Sequence, residues 1–205
     1  MADSLLVGAL TFGRTFVGII FRPYETYRRI IYAGTLWELP YIAVLLAFYF
    51  ALASLVKTAA FRPFLLTRQF IVLTSATGAT FFLVVGLLWF VGIFVGGKGQ
   101  LYKLGLAWAY TLIPTVLWFL VTSLLYVVLP PPRTDRLQGI LFSLLYLVFS
   151  VTLFFWKGIL AYLTMRFGLK LDLKQVLIVS AISVPILGLY SVLMYRLGIF
   201  KVPFL

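Results

Sequence analysis

Apolar residues along this chain come in long blocks separated by short polar breaks. Five blocks, roughly 39–56, 70–95, 104–129, 139–165 and 176–195, each run for about the 20 residues that carry a helix across a bilayer. The connectors 57–69, 96–103, 130–138 and 166–175 are short and polar. None has room for a soluble domain, so the pattern predicts one compact membrane domain. Boundary signals agree with the blocks. Thr35-Leu36-Trp37-Glu38 reads as a capping box opening the first span. Asp135-Arg136-Leu137-Gln138 and Asp172-Leu173-Lys174-Gln175 repeat that spacing before the fourth and fifth. Pro130-Pro131-Pro132 stops the third, because three prolines cannot continue a helix.

The first 35 residues follow another pattern. Gly8, Thr11, Arg14 with Thr15, Gly18, Arg22, Glu25 and Arg29 recur every three to four residues and trace one helical face. Leu6, Leu10, Phe16, Val17, Ile20, Tyr24, Tyr27 and Ile31 lie mostly off it. This predicts an amphipathic helix in the membrane interface, broken near Arg22-Pro23, with Glu25 and Arg29 forming an i,i+4 pair. The competing arrangement is a sixth span over 4–21, interrupted by Arg14. The expected fold is all-α: a polytopic membrane bundle of five transmembrane helices with an N-terminal amphipathic interfacial helix. Residues 1–35 form the interfacial segment and 36–205 the five-span domain.

Composition supports this class. Of 205 residues, 63% are hydrophobic and 11% charged, against about 45–50% and about 25% in soluble domains. There is no His and no Cys. That removes imidazole and thiolate metal sites, thiol nucleophiles and His-based triads. The five acids, Asp3, Glu25, Glu38, Asp135 and Asp172, all fall outside the spans. No general base is therefore expected inside the membrane, and the chain reads as a non-enzyme with no cofactor. The net charge of +12 is spread between the spans without a basic run or a nucleic-acid motif. It points to anionic lipid headgroups rather than nucleic acid. The N-terminal connector series carries nine Lys/Arg and the alternate series seven. That excess puts the N-terminus in the cytoplasm and the C-terminus outside.

Two segments carry a family resemblance. Arg22-Pro23-Tyr24-Glu25-Thr26-Tyr27-Arg28-Arg29-Ile30 precedes the first span. Gly96-Gly97-Lys98-Gly99-Gln100-Leu101-Tyr102-Lys103-Leu104 follows the second and runs into Ala107-Trp108-Ala109-Tyr110-Thr111-Leu112-Ile113-Pro114. Pro23, Thr26 and Arg28 in the first, with Gly96, Gly97, Lys98, Gly99, Tyr110 and Pro114 in the second, resemble prokaryotic members of the Yip (Rab-interacting protein) membrane family. The resemblance implies a multi-pass protein of a prokaryotic plasma membrane, organising membrane or partner proteins, with no settled biochemical activity. Eukaryotic members, linked to Rab GTPases and vesicle traffic, carry a long cytosolic N-terminal region and an Asp-Leu-Tyr-Gly-Pro motif. Here only Glu38-Leu39-Pro40-Tyr41 stands near that place. The partners expected are the bilayer, its anionic lipids, and a second copy or another membrane protein.

Several residues bear on a second function class, a small transporter, channel or lipid-handling protein. Lys157 is the ionisable residue well inside a span, by default a functional position. An internal polar site is one reading. Snorkelling is the other, since Lys157 lies eight residues before Met165, about 12 Å of helix rise. Thr74, Ser75 and Thr77, with Gly78 and Thr80, either line a polar cavity or mark helix packing, as Gly92-x-x-x-Gly96 and the Ala43, Ala47, Ala51 row do. Pro114 and Pro185 lie inside spans three and five and free a carbonyl each, giving a kink or, alternatively, a hinge or polar site. Gly96-Gly97-Lys98-Gly99 lacks the spacing and the preceding strand of a phosphate loop, and reads as a tight turn.

Overall fold

The computed structural model describes residues 2–57, 63–128 and 137–198, and every element it holds there is helical. The chain runs through α1 (Ala2–Phe21), α2 (Pro23–Ala33), a single turn at Leu36–Glu38, α3 (Leu39–Lys57), α4 (Pro63–Phe94), α5 (Leu101–Tyr110), α6 (Leu112–Val128), α7 (Leu137–Leu163), a π-turn at Thr164–Gly168, and α8 (Leu173–Arg196). In hydrocarbon each backbone N–H and C=O must find a partner within the protein, and a helix supplies one locally. Four described stretches are long and apolar enough to cross a membrane: α4, α5 with α6, α7 with its π-turn, and α8. A fifth is made by α2 with α3 if that pair, bent by 119°, counts as one span. The spans α3 to α8 fall close to the five apolar blocks of the sequence.

The span formed by α5 and α6 is central. One buried cluster joins Ile19 of α1, Tyr27 and Ile30 of α2, and Ile42 of α3 to Leu106 and Tyr110 of α5 and Leu160 of α7. A second packs α4 and α8 around Leu104 and Leu169. A third, with the Tyr49 and Phe119 rings stacked at 4.8 Å, closes α3 on α6. The segment before the first span thus shares its core with the spans.

The helix breaks at Arg22-Pro23 as the sequence suggests. Arg22 leaves helical geometry at φ −141°, and Pro23 opens α2 where its missing N–H costs nothing. The face of α1 needs a correction. Gly8, Thr15 and Gly18 from the polar stripe turn inward, not to water. Gly8 meets Tyr41 of α3, Gly18 meets Thr26 of α2, and Thr15 is buried. Leu6, Leu10, Val17, Ile20 and Phe21 are exposed. The inward members of the stripe are small residues, which let helices approach, while Arg14 stays exposed. The expected Glu25–Arg29 pair is also replaced: Glu25 instead lies 3.7 Å from Arg22, both exposed.

Two further expectations change. The break in the third span falls at Thr111, not at Pro114. Pro114 has no N–H for the Tyr110 carbonyl four residues back, so α5 ends there and Pro114 sits in the first turn of α6. α8 by contrast runs through Pro185 without interruption. The alanine row does not mark a contact, since Ala43 and Ala51 are exposed among the described residues. The capping boxes at Thr35/Glu38 and Asp172/Gln175 are both formed. The Asp135 box and Pro130–Pro132 lie outside the described residues.

The turn after α4 shows why glycine is needed. Gly96 has φ +98°, and its N–H bonds to Ile93 O at 2.9 Å while that of Gly97 bonds to Gly92 O at 2.8 Å. This is the paired closure of a left-handed helix end. Lys98 N–H then donates to Leu169 O at 3.0 Å, laying the turn on the 168–172 segment. A Cβ on Gly99 would strike the Gly168 carbonyl, whereas one on Gly105 would meet only Val85 at an ordinary 3.8 Å. Gly99→Ala should therefore cost about 1–3 kcal/mol of stability. Gly105→Ala should be neutral or gain up to about 1 kcal/mol from helix propensity. Unfolding of both variants in detergent micelles measures the difference.

Candidate functional site

Polar side chains inside the bundle form small sets, each drawn from more than one helix. The most buried set is at the α2–α3 turn. Glu38 is 1% exposed. Its capping role fixes one carboxylate oxygen, which accepts the Thr35 N–H at 3.2 Å. The other oxygen accepts the Tyr110 hydroxyl from α5. The Thr15 hydroxyl of α1 reaches the same phenol, and the Arg29 guanidinium of α2 acts on it electrostatically. Arg29 Nη2 is itself buried without a hydrogen-bond partner. Phe12 stacks between Tyr41 and Tyr110, with ring centres at 5.8 and 6.3 Å, and shields the group. The sequence shows Glu38 as a cap. Its contact with Tyr110, 72 residues away, has no local signal.

A second set lies between α2, α5 and the π-turn. Tyr27 hydroxyl donates to Ala107 O at 3.3 Å, and Thr164 hydroxyl donates to Leu160 O at 2.9 Å. Burial raises the Tyr27 hydroxyl above the usual phenol range, so it stays protonated and can donate.

The third set holds Lys157. Its ammonium donates to Thr115 Oγ1 of α6 at 3.0 Å. The lysine thus meets α6 at a void between the helices. It borders a small void of about 40 Å³ whose wall includes Thr77 and Thr80 of α4, Thr115, Tyr49 and Trp108. Thr80 is bonded in turn to Tyr190 of α8 at 2.9 Å. Thr74 and Ser75 are exposed and do not join the void, and neither does Pro185. Pro114 is buried one residue before Thr115 and fixes the start of α6. Sequence reasoning missed Thr115. Its place, 42 residues from Lys157, is set by how α6 packs on α7.

The family-like residues fall into three places. Pro23 and Thr26 hold α2 against α1. Arg28 is exposed beside the Tyr32 ring at 6.0 Å. Gly96, Gly97, Lys98 and Gly99 form the turn on residues 168–172, whereas Tyr110 belongs to the Glu38 set. That turn follows a helix, as a phosphate loop does not. Among the described residues there is no group of three His, Cys, Asp or Glu fit to hold a metal ion.

Lys157→Met separates two roles for the third set. If the Lys157–Thr115 bond only fills the cleft, Met keeps the apolar stem and removes the desolvation cost of a charge. We expect an unchanged or slightly raised melting temperature in lipid nanodiscs. A marked fall would show that the ammonium ties the helices together.

No curated protein and no solved structure is detectably similar to the chain. The sequence profile of the Yip1 domain, however, matches residues 17–195, a stretch that takes in α2, α3 to α7, α8 but for its last residue, and the polar groups just described apart from Thr15 of α1. The chain is a multi-pass membrane protein and belongs to the Yip1 domain family.

Proposed function

We propose that this protein is a non-enzymatic organiser of a prokaryotic plasma membrane, acting through lipid and through other membrane proteins or a second copy of itself. The observation that carries this reading is how the bundle disposes of its polar groups. Glu38 is taken up by Thr35 and Tyr110, Lys157 by Thr115, Thr80 by Tyr190, and Trp118 Nε1 by Ser150 at 2.8 Å. The void among them, about 40 Å³, holds a few waters at most. The outer surface is apolar instead, with Leu144, Leu145, Val148 and Phe155 of α7 all exposed. Such a surface meets lipid or another apolar span. Residues 1–35 serve as the interfacial segment and 36–205 as the five-span domain. Nucleic acid has no part in this reading.

The second reading, transport or lipid handling, rests on Lys157 with Thr77, Thr80 and Thr115 around one void. Flux measurements on reconstituted vesicles decide between them. We expect K⁺, Cl⁻ and proton fluxes equal to those of protein-free vesicles, with Lys157→Met making no difference. A flux that Lys157→Met abolishes would replace the first reading by the second.

We propose that the N-terminus and the 96–103 turn face the cytoplasm and the C-terminus the outside, a reading supported by the excess of nine Lys/Arg over seven. The chain has no cysteine, so single cysteines report side without background. A membrane-impermeant maleimide added to intact cells should label Leu197→Cys and spare Tyr102→Cys, both at exposed positions. Labelling of both from outside would contradict the five-span topology.

A further inference from the structure

At the end of the bundle that carries α2 there is a second concavity, of about 460 Å³, which none of the polar sets above uses. It lies between the 98–103 segment and the 166–172 segment, with Ile31 and Tyr32 of α2 at one side. Four cations line it: Lys98, Lys103, Arg166 and Lys170. The one acid in its wall is Asp172. Asp172 does not neutralise the group: its carboxylate is 4.0 Å from Arg166 and 91% exposed. The local charge is therefore strongly positive in a hollow, where field lines concentrate.

Three features of the backbone build this hollow. The π-turn Thr164–Gly168 puts Arg166 and Phe167 at its wall in place of a regular helical turn. Lys170 is the one described non-glycine residue with positive φ, +57°. A lysine there tolerates a backbone that Gly or Asn adopts more readily. α5 starts in the hollow, and its N-cap Gln100 makes no side-chain capping bond. The first N–H groups of that helix lack partners within it and favour negative charge.

The surroundings say at what depth this occurs. Tyr24, Tyr32 and Tyr102 are all exposed on the same flanking segments, and Tyr24 packs edge-on to Phe167 at 5.1 Å. Exposed tyrosines at the ends of apolar spans mark the headgroup level. Basic pockets between spans at that level suit phosphate-bearing headgroups. Four cations against one acid match an anion of two negative charges better than one of a single charge.

We infer that the hollow between the 98–103 turn and the 166–172 segment is a binding site for a phosphate-bearing anion of two negative charges, supplied by a lipid headgroup or a soluble phosphate ester. Lys98, Lys103 and Lys170 give the charge. Arg166 gives directed donors, and the start of α5 gives backbone N–H groups. The turn on which Lys98 stands is fixed to this wall by its own N–H bond to Leu169 O at 3.0 Å, so the site is assembled before any ligand arrives.

The test uses the full chain in nanodiscs of phosphatidylcholine, alone or doped with cardiolipin, phosphatidate or phosphatidylglycerol, with retained lipid read by native mass spectrometry. Wild type should retain either dianionic lipid over phosphatidylcholine and over singly charged phosphatidylglycerol. Lys98→Gln with Lys170→Asn should weaken retention about 25-fold, at about fivefold per surface cation. Asn suits the φ at 170, so the fold is kept, and an unchanged melting temperature in phosphatidylcholine nanodiscs checks this. Arg14→Gln with Arg196→Gln removes the same charge elsewhere and should leave retention unaltered. A parallel arm titrates glycerol 3-phosphate into phosphatidylcholine nanodiscs. Saturable stabilisation there that the Lys98/Lys170 variant loses assigns the site to a soluble ester, and its absence beside lipid retention assigns it to the headgroup. Either supports the site. Equal losses in the two double variants, or no preference by wild type in either arm, would overturn it.

Discussion

The arrangement of the N-terminal half depends on one buried carboxylate. Glu38 stands at the turn where the chain bends by 119° between α2 and α3. At 1% exposure it has no access to water, so both of its oxygens must be served by the protein. Thr35 serves one through the backbone and Tyr110 the other through α5. α5 belongs to the central span, so this contact sets where the bend sits against the bundle. α1 follows, because Phe12 and Thr15 pack on the same tyrosine. A small-residue face on α1 makes that approach possible, with Gly8 against Tyr41 and Gly18 against Thr26.

The remaining spans obey the same economy with weaker groups. Apolar packing alone does not distinguish one lipid-solvated helix pair from another, since lipid tails are as apolar as leucine. Specific pairs are singled out by hydrogen bonds: Thr80 to Tyr190 joins α4 to α8, and Trp118 to Ser150 joins α6 to α7. Lys157 also bonds to Thr115, but its charge carries a desolvation cost, so it is not one of these fastenings. At the opposite extreme of polarity, the 96–99 turn and the 166–172 segment collect cations around the second hollow. The interior is thus sparing in charge and the α2 end is rich in it. That division is what supports the proposed organising role.

What could be read from the sequence was whatever is decided locally. Span positions, the stop at Arg22-Pro23 and the boxes at Thr35 and Asp172 depend on residues within a turn of one another, and they appear where the pattern puts them. Partners across the bundle were not legible. Nothing near Glu38 points to Tyr110, and nothing near Lys157 points to Thr115. The polar stripe of α1 was visible, but whether glycines and threonines face water or a neighbouring helix is decided by packing. Thr77 and Thr80, three residues apart, share the inward face of α4, whereas Thr74 and Ser75 nearby are exposed. The π-turn at Thr164–Gly168 has no simple sequence signature, so the meeting of Arg166 with Lys98 was hidden as well.

The central claim is that the Glu38–Tyr110 contact fastens the α2–α3 bend to the central span. A double-mutant cycle measures it most directly, with Glu38→Gln, Tyr110→Phe and the pair compared by unfolding in lipid nanodiscs. Residues in one hydrogen-bonded set couple by about 0.5–3 kcal/mol. The account predicts a coupling in that range, with Tyr110→Phe costing about 1–3 kcal/mol alone because a buried oxygen loses its donor. Additive effects, agreeing within about 0.3–0.5 kcal/mol as for independent sites, would contradict it.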